Sequence, residues 1–293
     1  MPVLNPFTTL PVSLPLLFKK NKSMQKSGNI RKMRTQLDKP VQYTLPLYDN
    51  LEEGAFVEMT PLVGKEIRLA FNNQINCVVT GKKIKKTFGE GMSYPAFKTS
   101  PWAVESIIRP ELSRAHLGEA LRDLEWEKEH DLQPHFVYLA LTNHVKVGVT
   151  RQGHLPGRWI DQGAWKAIVL AETPYRYLAG VIEKGLKAHM SDKTQWQRML
   201  KNERLDLDLL EEKQRIGKLL PAKHQQYISS DDSITEIEYP VEQYPDKVKS
   251  MKLDKVPEIE KRLTGIRGQY FLFEDNTVIN IRSHAGYHVT VEY

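Results

Sequence analysis

Cysteine is almost absent from this chain: Cys77 stands alone among 293 residues. A single thiol excludes an internal disulfide framework and fits a reducing, cytoplasmic compartment. Long apolar runs are missing too. Nothing approaches the ~20 consecutive apolar residues of a membrane helix, so no membrane partner is expected. The opening MPVLNPFTTLPVSLPLLFKKNKS is interrupted by Pro2, Pro6, Pro11 and Pro15, and its lysines follow the apolar stretch instead of preceding it. That order is wrong for a secretory leader. Residues 1–27 are expected to be a disordered or non-native N-terminal extension, with Met24 an alternative initiator. No internal repeat is visible.

What the chain does have is 40% hydrophobic content, enough for a real core, and a formal charge of +6. The charge is unevenly placed. Residues 1–39 carry +7, residues 40–134 carry −3, residues 135–200 carry +5 and residues 201–293 carry −3. A basic module thus sits inside a slightly acidic body, which directs attention to anionic partners.

Apolar residues recur at strand spacing over 28–79, and the Gly-, Lys- and Ser-rich stretch 80–101 reads as a loop or small knuckle. Leu117, Ala120, Leu121 and Leu124 fall on one face of a helix expected over 117–130. From His135 the order is strand, strand, short helix, strand, longer helix. Thr173-Pro174 is the expected start of that longer helix, with Leu178, Val181, Ile182 and Leu186 as its core stripe. Further helices are expected in the 192–202 and 205–220 stretches. The final segment returns to strands, with a hairpin turn at Glu274 to Thr277, and β-rich termini suggest that the two ends of the chain close one sheet.

A site that binds or cuts a phosphodiester needs cations for the phosphate oxygens, usually a carboxylate for a divalent ion, and a group that orients or deprotonates the nucleophile. The basic module supplies each type. Tyr138 lies in its first strand, Lys146 in its second, Arg151 and Arg158 in the loop and short helix that follow, and Glu183 in the longer helix. Ala179 and Gly180, one turn before Glu183, leave little bulk on its side of that helix. Trp159, Trp165 and Trp196 are expected to pack, and Asp161 to cap or to pair with a neighbouring arginine.

The paired strands, the arginine one short helix later and the glutamate in the next helix resemble the GIY-YIG nuclease superfamily, with FVY at 136–138 and KVG at 146–148 in the two signature positions. The resemblance gives Arg158 the role of phosphate contact and Glu183 that of metal ligand, for Mg²⁺ or Mn²⁺. Lys146 replaces the tyrosine assigned there as general base, which leaves Tyr138 to orient water; a phenol of ordinary pKa near 10 needs neighbouring cations for that task. Asn202 is the candidate for the superfamily's later asparagine.

From Met24 onward, VKVGVTR, RWIDQGA, RYLAG and DKTQWQRML resemble a bacterial family, domain of unknown function 2797. Members of that family resemble zinc-knuckle proteins ahead of the PEL segment. Here the four knuckle positions are Cys77, Thr80, Ser93 and Ala96, so zinc is not expected and Phe88, Tyr94 and Phe97 would pack in its place.

The expected architecture is α+β: an N-terminal β region with the degenerate knuckle and a helix (28–133), a GIY-YIG-like core (134–200), and a helical then β C-terminal region (201–293). The expected function is binding of DNA or RNA, with Tyr138, Arg158 and Lys146 as catalytic candidates, Arg151, Lys146 and Arg158 as nucleic-acid contacts and Glu183 as metal ligand. The alternative is a scaffold or protein-interaction module without turnover.

Overall fold

The computed structural model describes residues 23–190 and 195–293. The expected extension lies outside the described residues as far as residue 22, and so do residues 192–194 of the expected helix over 192–202.

The protein is a mixed α+β molecule built on two sheets. The larger uses β1 (Gln25–Ile30), β2 (Arg34–Gln36), β3 (Gln42–Asp49), β4 (Glu52–Glu58), β5 (Glu66–Asn76) and β6 (Lys83–Ile84) from the N-terminal half. The smaller uses β7 (His135–Leu141), β8 (Val145–Arg151), β9 (Lys166–Thr173) and β10 (Thr235–Glu236). The chain then returns to the larger sheet with β11 (Lys249–Met251), β12 (Glu258–Arg267), β13 (Tyr270–Phe273), β14 (Thr277–Asn280) and β15 (Tyr287–Glu292). The large sheet runs β11-β14-β13-β12-β5-β15-β1-β3-β2, with β4 on β3 and β6 on β5; the small one runs β10-β9-β7-β8.

The two chain ends do close one sheet. β1 pairs antiparallel with β15 from Gln25↔Glu292 to Asn29↔His288, so regular structure begins three residues inside the segment assigned to the extension. The β13–β14 hairpin turns at Asn276, whose φ of 66° is one that asparagine tolerates better than most residues.

Strand alternation in β7 decides how the sheets meet. Val137 and Leu139 project into a core with Ile182, Leu186, Leu209 and Ile216, whereas Tyr138 and Ala140 project into the core shared with Leu45, Leu69 and Ile266 of the large sheet. The helices are α1 (Tyr94–Thr99), α2 (Leu124–Asp131), α3 (Gly157–Asp161), α4 (Arg176–Lys187), α5 (Trp196–Leu200), α6 (Leu209–Gly217) and α7 (Ala222–Gln225). β10 and α6 come from beyond residue 200, so the small sheet draws on the C-terminal region for an edge strand and for part of its cover.

Two helix boundaries differ from expectation. α2 begins only at Leu124, capped by the Asp123 carboxylate, which accepts from Trp126 N–H at 2.9 Å. Leu117 and Leu121 are exposed, because the preceding loop instead wraps Glu127, whose buried carboxylate accepts backbone N–H groups from Leu121, Arg122 and Asp123. α4 begins at Arg176, with Tyr175 at the cap. Thr173 ends β9, and its hydroxyl donates to the His135 carbonyl at 3.0 Å, tying β9 to β7.

Candidate nucleic-acid interface

Tyr138 and Lys146 lie on one face of the β7–β8 hairpin, since Tyr138 pairs with Gly148 and Ala140 with Lys146. Gly148 makes room for the phenol: a Cβ there would sit 2.5 Å from Tyr138 Oη. The ring is fully buried. Its hydroxyl accepts from Gln162 Nε2 at the end of α3. Burial pushes the phenol above its ordinary pKa, opposed by the charge of Arg158, the Gln162 hydrogen bond and a hydrogen bond with Arg158; Glu183 adds a smaller upward push. One hydroxyl therefore feels both Arg158 from α3 and Glu183 from α4.

Other cations extend this arrangement. His154 is held below its ordinary pKa first by burial, then by the charges of Arg151, Lys32 and Arg158, so all three lie within electrostatic reach of one imidazole. Arg151 donates to His154 Nε2 at 2.8 Å. Arg176, at the start of α4, donates to the Ser106 carbonyl at 2.7 Å and lies 3.7 Å from the buried Asp131 carboxylate. Its guanidinium is lowered by burial and senses Arg151, Glu183 and Arg158 as well. Arg151, Arg158 and Lys32 thus make up a basic ridge near His154, while Arg176 is buried against Asp131 and the Ser106 carbonyl.

The structure brings Tyr138, Arg158 and Glu183 within electrostatic range, with Arg151 joined through His154 and Lys146 on the Tyr138 face. Glu183 is nearly buried, 3.3 Å from Lys187 Nζ. The space left by Gly180 serves packing: a Cβ there would overlap the backbone of Pro110 and Glu111. Among the described residues no three His, Cys, Asp or Glu side chains gather to hold an ion. Glu183 could supply one ligand to an ion.

Three further assignments change. Asp161 pairs with Lys32, not with a neighbouring arginine, and accepts from Gln269 Nε2 at 2.9 Å. Asn202 accepts from the buried Arg267 at 2.7 Å, a structural task that removes it from the site. Arg31, Lys32 and Arg34, counted with the N-terminal basic excess, belong to the folded body. Sequence reasoning passed over Gln162 and Arg176; the only signal was the proximity of Gln162 to Arg158 in the chain.

A family profile described as protein of unknown function (DUF2797) matches residues 64–289. The chain belongs to the DUF2797 family. No curated protein and no solved structure matches it. The DUF2797 match takes in the whole small sheet but starts after β4, so Arg31, Lys32 and Arg34 precede it.

Within the DUF2797 match the 77–97 loop is held by hydrogen bonds and a small apolar core. Cys77 Sγ accepts from Ser93 N–H at 3.1 Å. Burial pushes the thiol up, but hydrogen bonds from Thr80, Ser93 and the Val79 backbone outweigh it and bring it down to about 6. Cys77, Met92 and Ala96 form a small core with Phe97, and Phe88 packs on Tyr94 at 5.1 Å between ring centroids. One thiol, two hydroxyls and a methyl group do not fit tetrahedral zinc.

Among the described residues no helix is long and apolar enough to cross a membrane.

Proposed function

We propose that this protein binds nucleic acid through the basic ridge on its small sheet, using a core like that of the GIY-YIG nucleases. The observation that carries this reading is the Arg158 hydrogen bond with the Tyr138 hydroxyl, with the Glu183 charge within electrostatic reach of it and Arg151 donating to His154. Supporting it, Arg158 lies in the short helix after the β7–β8 hairpin and Glu183 in the helix after β9. Arg158 and Lys146 hold a phosphate, and Arg151 stabilises the leaving side. Glu183 would provide one ligand to Mg²⁺ or Mn²⁺.

A second reading, binding without turnover, is favoured by the burial of Tyr138: its hydroxyl is closed to solvent, occupied by Gln162 and raised in pKa, all unfavourable for activating water. Incubating the protein with DNA and RNA of mixed structure and Mn²⁺ separates the two. Product that disappears in Glu183→Gln means cleavage, and retention without product means a binder. Arg158→Ala should weaken binding by up to about 3 kcal/mol and reduce the salt slope by about one. Unchanged affinity would remove the reading.

A further inference from the structure

Two cavities lie side by side, one of them lined in part by Lys32 of the ridge. The first, about 190 Å³, lies between the small sheet and the β12–β14 region, with Lys146, Gln162, Trp196 and Tyr270 in its lining. The second, about 220 Å³, is lined by Arg31, Lys32, Arg34 and Tyr48. Arg282 lines both. The Lys32–Asp161 pair also bridges them, with Lys32 in one lining and Asp161 in the other.

Their chemistries differ. In the first, Trp196 and Tyr270 stack on each other, with ring centroids 5.6 Å apart and planes 7° from parallel, so that each ring offers its outer face. Gln162 Oε1 is buried without a hydrogen-bond partner among the described residues, while its Nε2 is engaged by Tyr138. A stacking surface and an acceptor awaiting a donor suit a flat heterocycle bearing N–H groups. The volume is below the roughly 300 Å³ at which drug-sized sites begin, which leaves room for one ring system and excludes a base pair. Four cations and one carboxylate, Glu90, line the second cavity; Glu90 pairs with Arg282, Glu53 with Arg34 and Asp161 with Lys32. Arg31 donates only to backbone carbonyls, of Ile30 and Asn50, and forms no ion pair among the described residues. Burial lowers its pKa, as expected of a cation short of a counter-ion.

We infer that the paired cavities hold one unpaired nucleotide, its base against Trp196 beside Gln162 and its phosphate among Arg31, Arg34 and Arg282. This deepens the nucleic-acid reading and rests on it: Gln162 joins the base cavity to Tyr138, so the unpaired nucleotide lies next to the phosphate held by Arg158. The same chemistry belongs to a free mononucleotide.

The test uses the full chain and fluorescence anisotropy, with a labelled single strand and a blunt duplex, against Trp196→Ala, Arg31→Gln and Arg158→Ala. Trp196→Ala should weaken the single strand roughly five- to a hundred-fold and the duplex by less than about two-fold. Arg31→Gln, a partly exposed side chain whose loss spares the core, should weaken the single strand several-fold and lower its salt slope by about one. If Arg158→Ala weakens binding but neither other variant does, the ridge stands and the nucleotide site is overturned. If the unaltered chain binds no nucleic acid, the ridge reading falls. The cavities then survive only as a mononucleotide site, shown by a 5′-mononucleotide quenching tryptophan emission in the native chain but not in Trp196→Ala; no quenching overturns them too.

Discussion

Helix α4 carries two glycines whose replacement by alanine should have opposite effects. Gly185 is exposed, and a Cβ there meets nothing within 4 Å. Gly180 is buried against the turn containing Pro110 and Glu111, and a Cβ there would overlap their backbone. Intrinsic helix preference favours alanine over glycine by about 1 kcal/mol at either site. Gly185→Ala should therefore stabilise the protein by up to about 1 kcal/mol. At Gly180 the same gain is opposed by overpacking against a backbone that must move, a cost of about 1–3 kcal/mol. Because the preference term is common to both, the difference between the two variants isolates the steric cost, and it should be about 1–3 kcal/mol with Gly180→Ala the weaker. Urea unfolding midpoints at unchanged slope measure it. Equal stabilisation by both substitutions would refute the close packing of α4 on the 110–112 turn, and with it the fixed placement of Glu183 one turn further on.

Acid sensitivity offers a second check. His135 is fully buried, its Nδ1 2.7 Å from the Gln133 carbonyl; burial, and then the cations Arg176 and Arg151, pull it down to about 4 despite that bond. The unfolded chain therefore binds more protons between pH 6.5 and 4, so this contribution is full above pH 6.5 and falls as pH drops through that window, by about 2 kcal/mol at pH 5. His135→Gln should flatten the dependence, whatever its baseline stability; an unchanged pH slope would assign the acid sensitivity to other groups. The knuckle makes a third case. Thr80→Cys, Ser93→Cys and Ala96→Cys together should create a stoichiometric zinc site with Cys77, raising the unfolding temperature in zinc and losing that gain in chelator. A triple variant purified without metal after zinc incubation would show that the four positions do not converge.

Much of the fold was legible because it depends on local periodicity. Alternation in β7, β8 and β9, the apolar stripe of α4 and the turn at Asn276 are properties of neighbouring residues. Errors came where a distant group supplied the partner. Thr173 resembles a helix cap, yet the His135 carbonyl across the sheet takes its hydroxyl. Leu117 and Leu121 have helical spacing, but the Glu127 carboxylate binds the backbone that helix formation would have needed. At the site, residue type and order singled out Arg158, Glu183 and Tyr138. Burial was not legible: Tyr138 reads as a phenol free to orient water until Gly148 and Gln162 are seen to enclose it.

The sequence alone determined the composition-level facts: no disulfide framework, a basic module at 135–200, strands at both ends, and a single thiol, Cys77. Tertiary structure decided where the charges act. Lys32, far from the module in sequence, reaches Asp161 because β1 joins β15 and brings the N-terminal strands beside α3. Arg282 walls two cavities only because the C-terminal strands return to the same sheet. Periodicity is set by adjacent residues and can be read along the chain, whereas desolvation and charge proximity depend on which distant surfaces exclude water from one another.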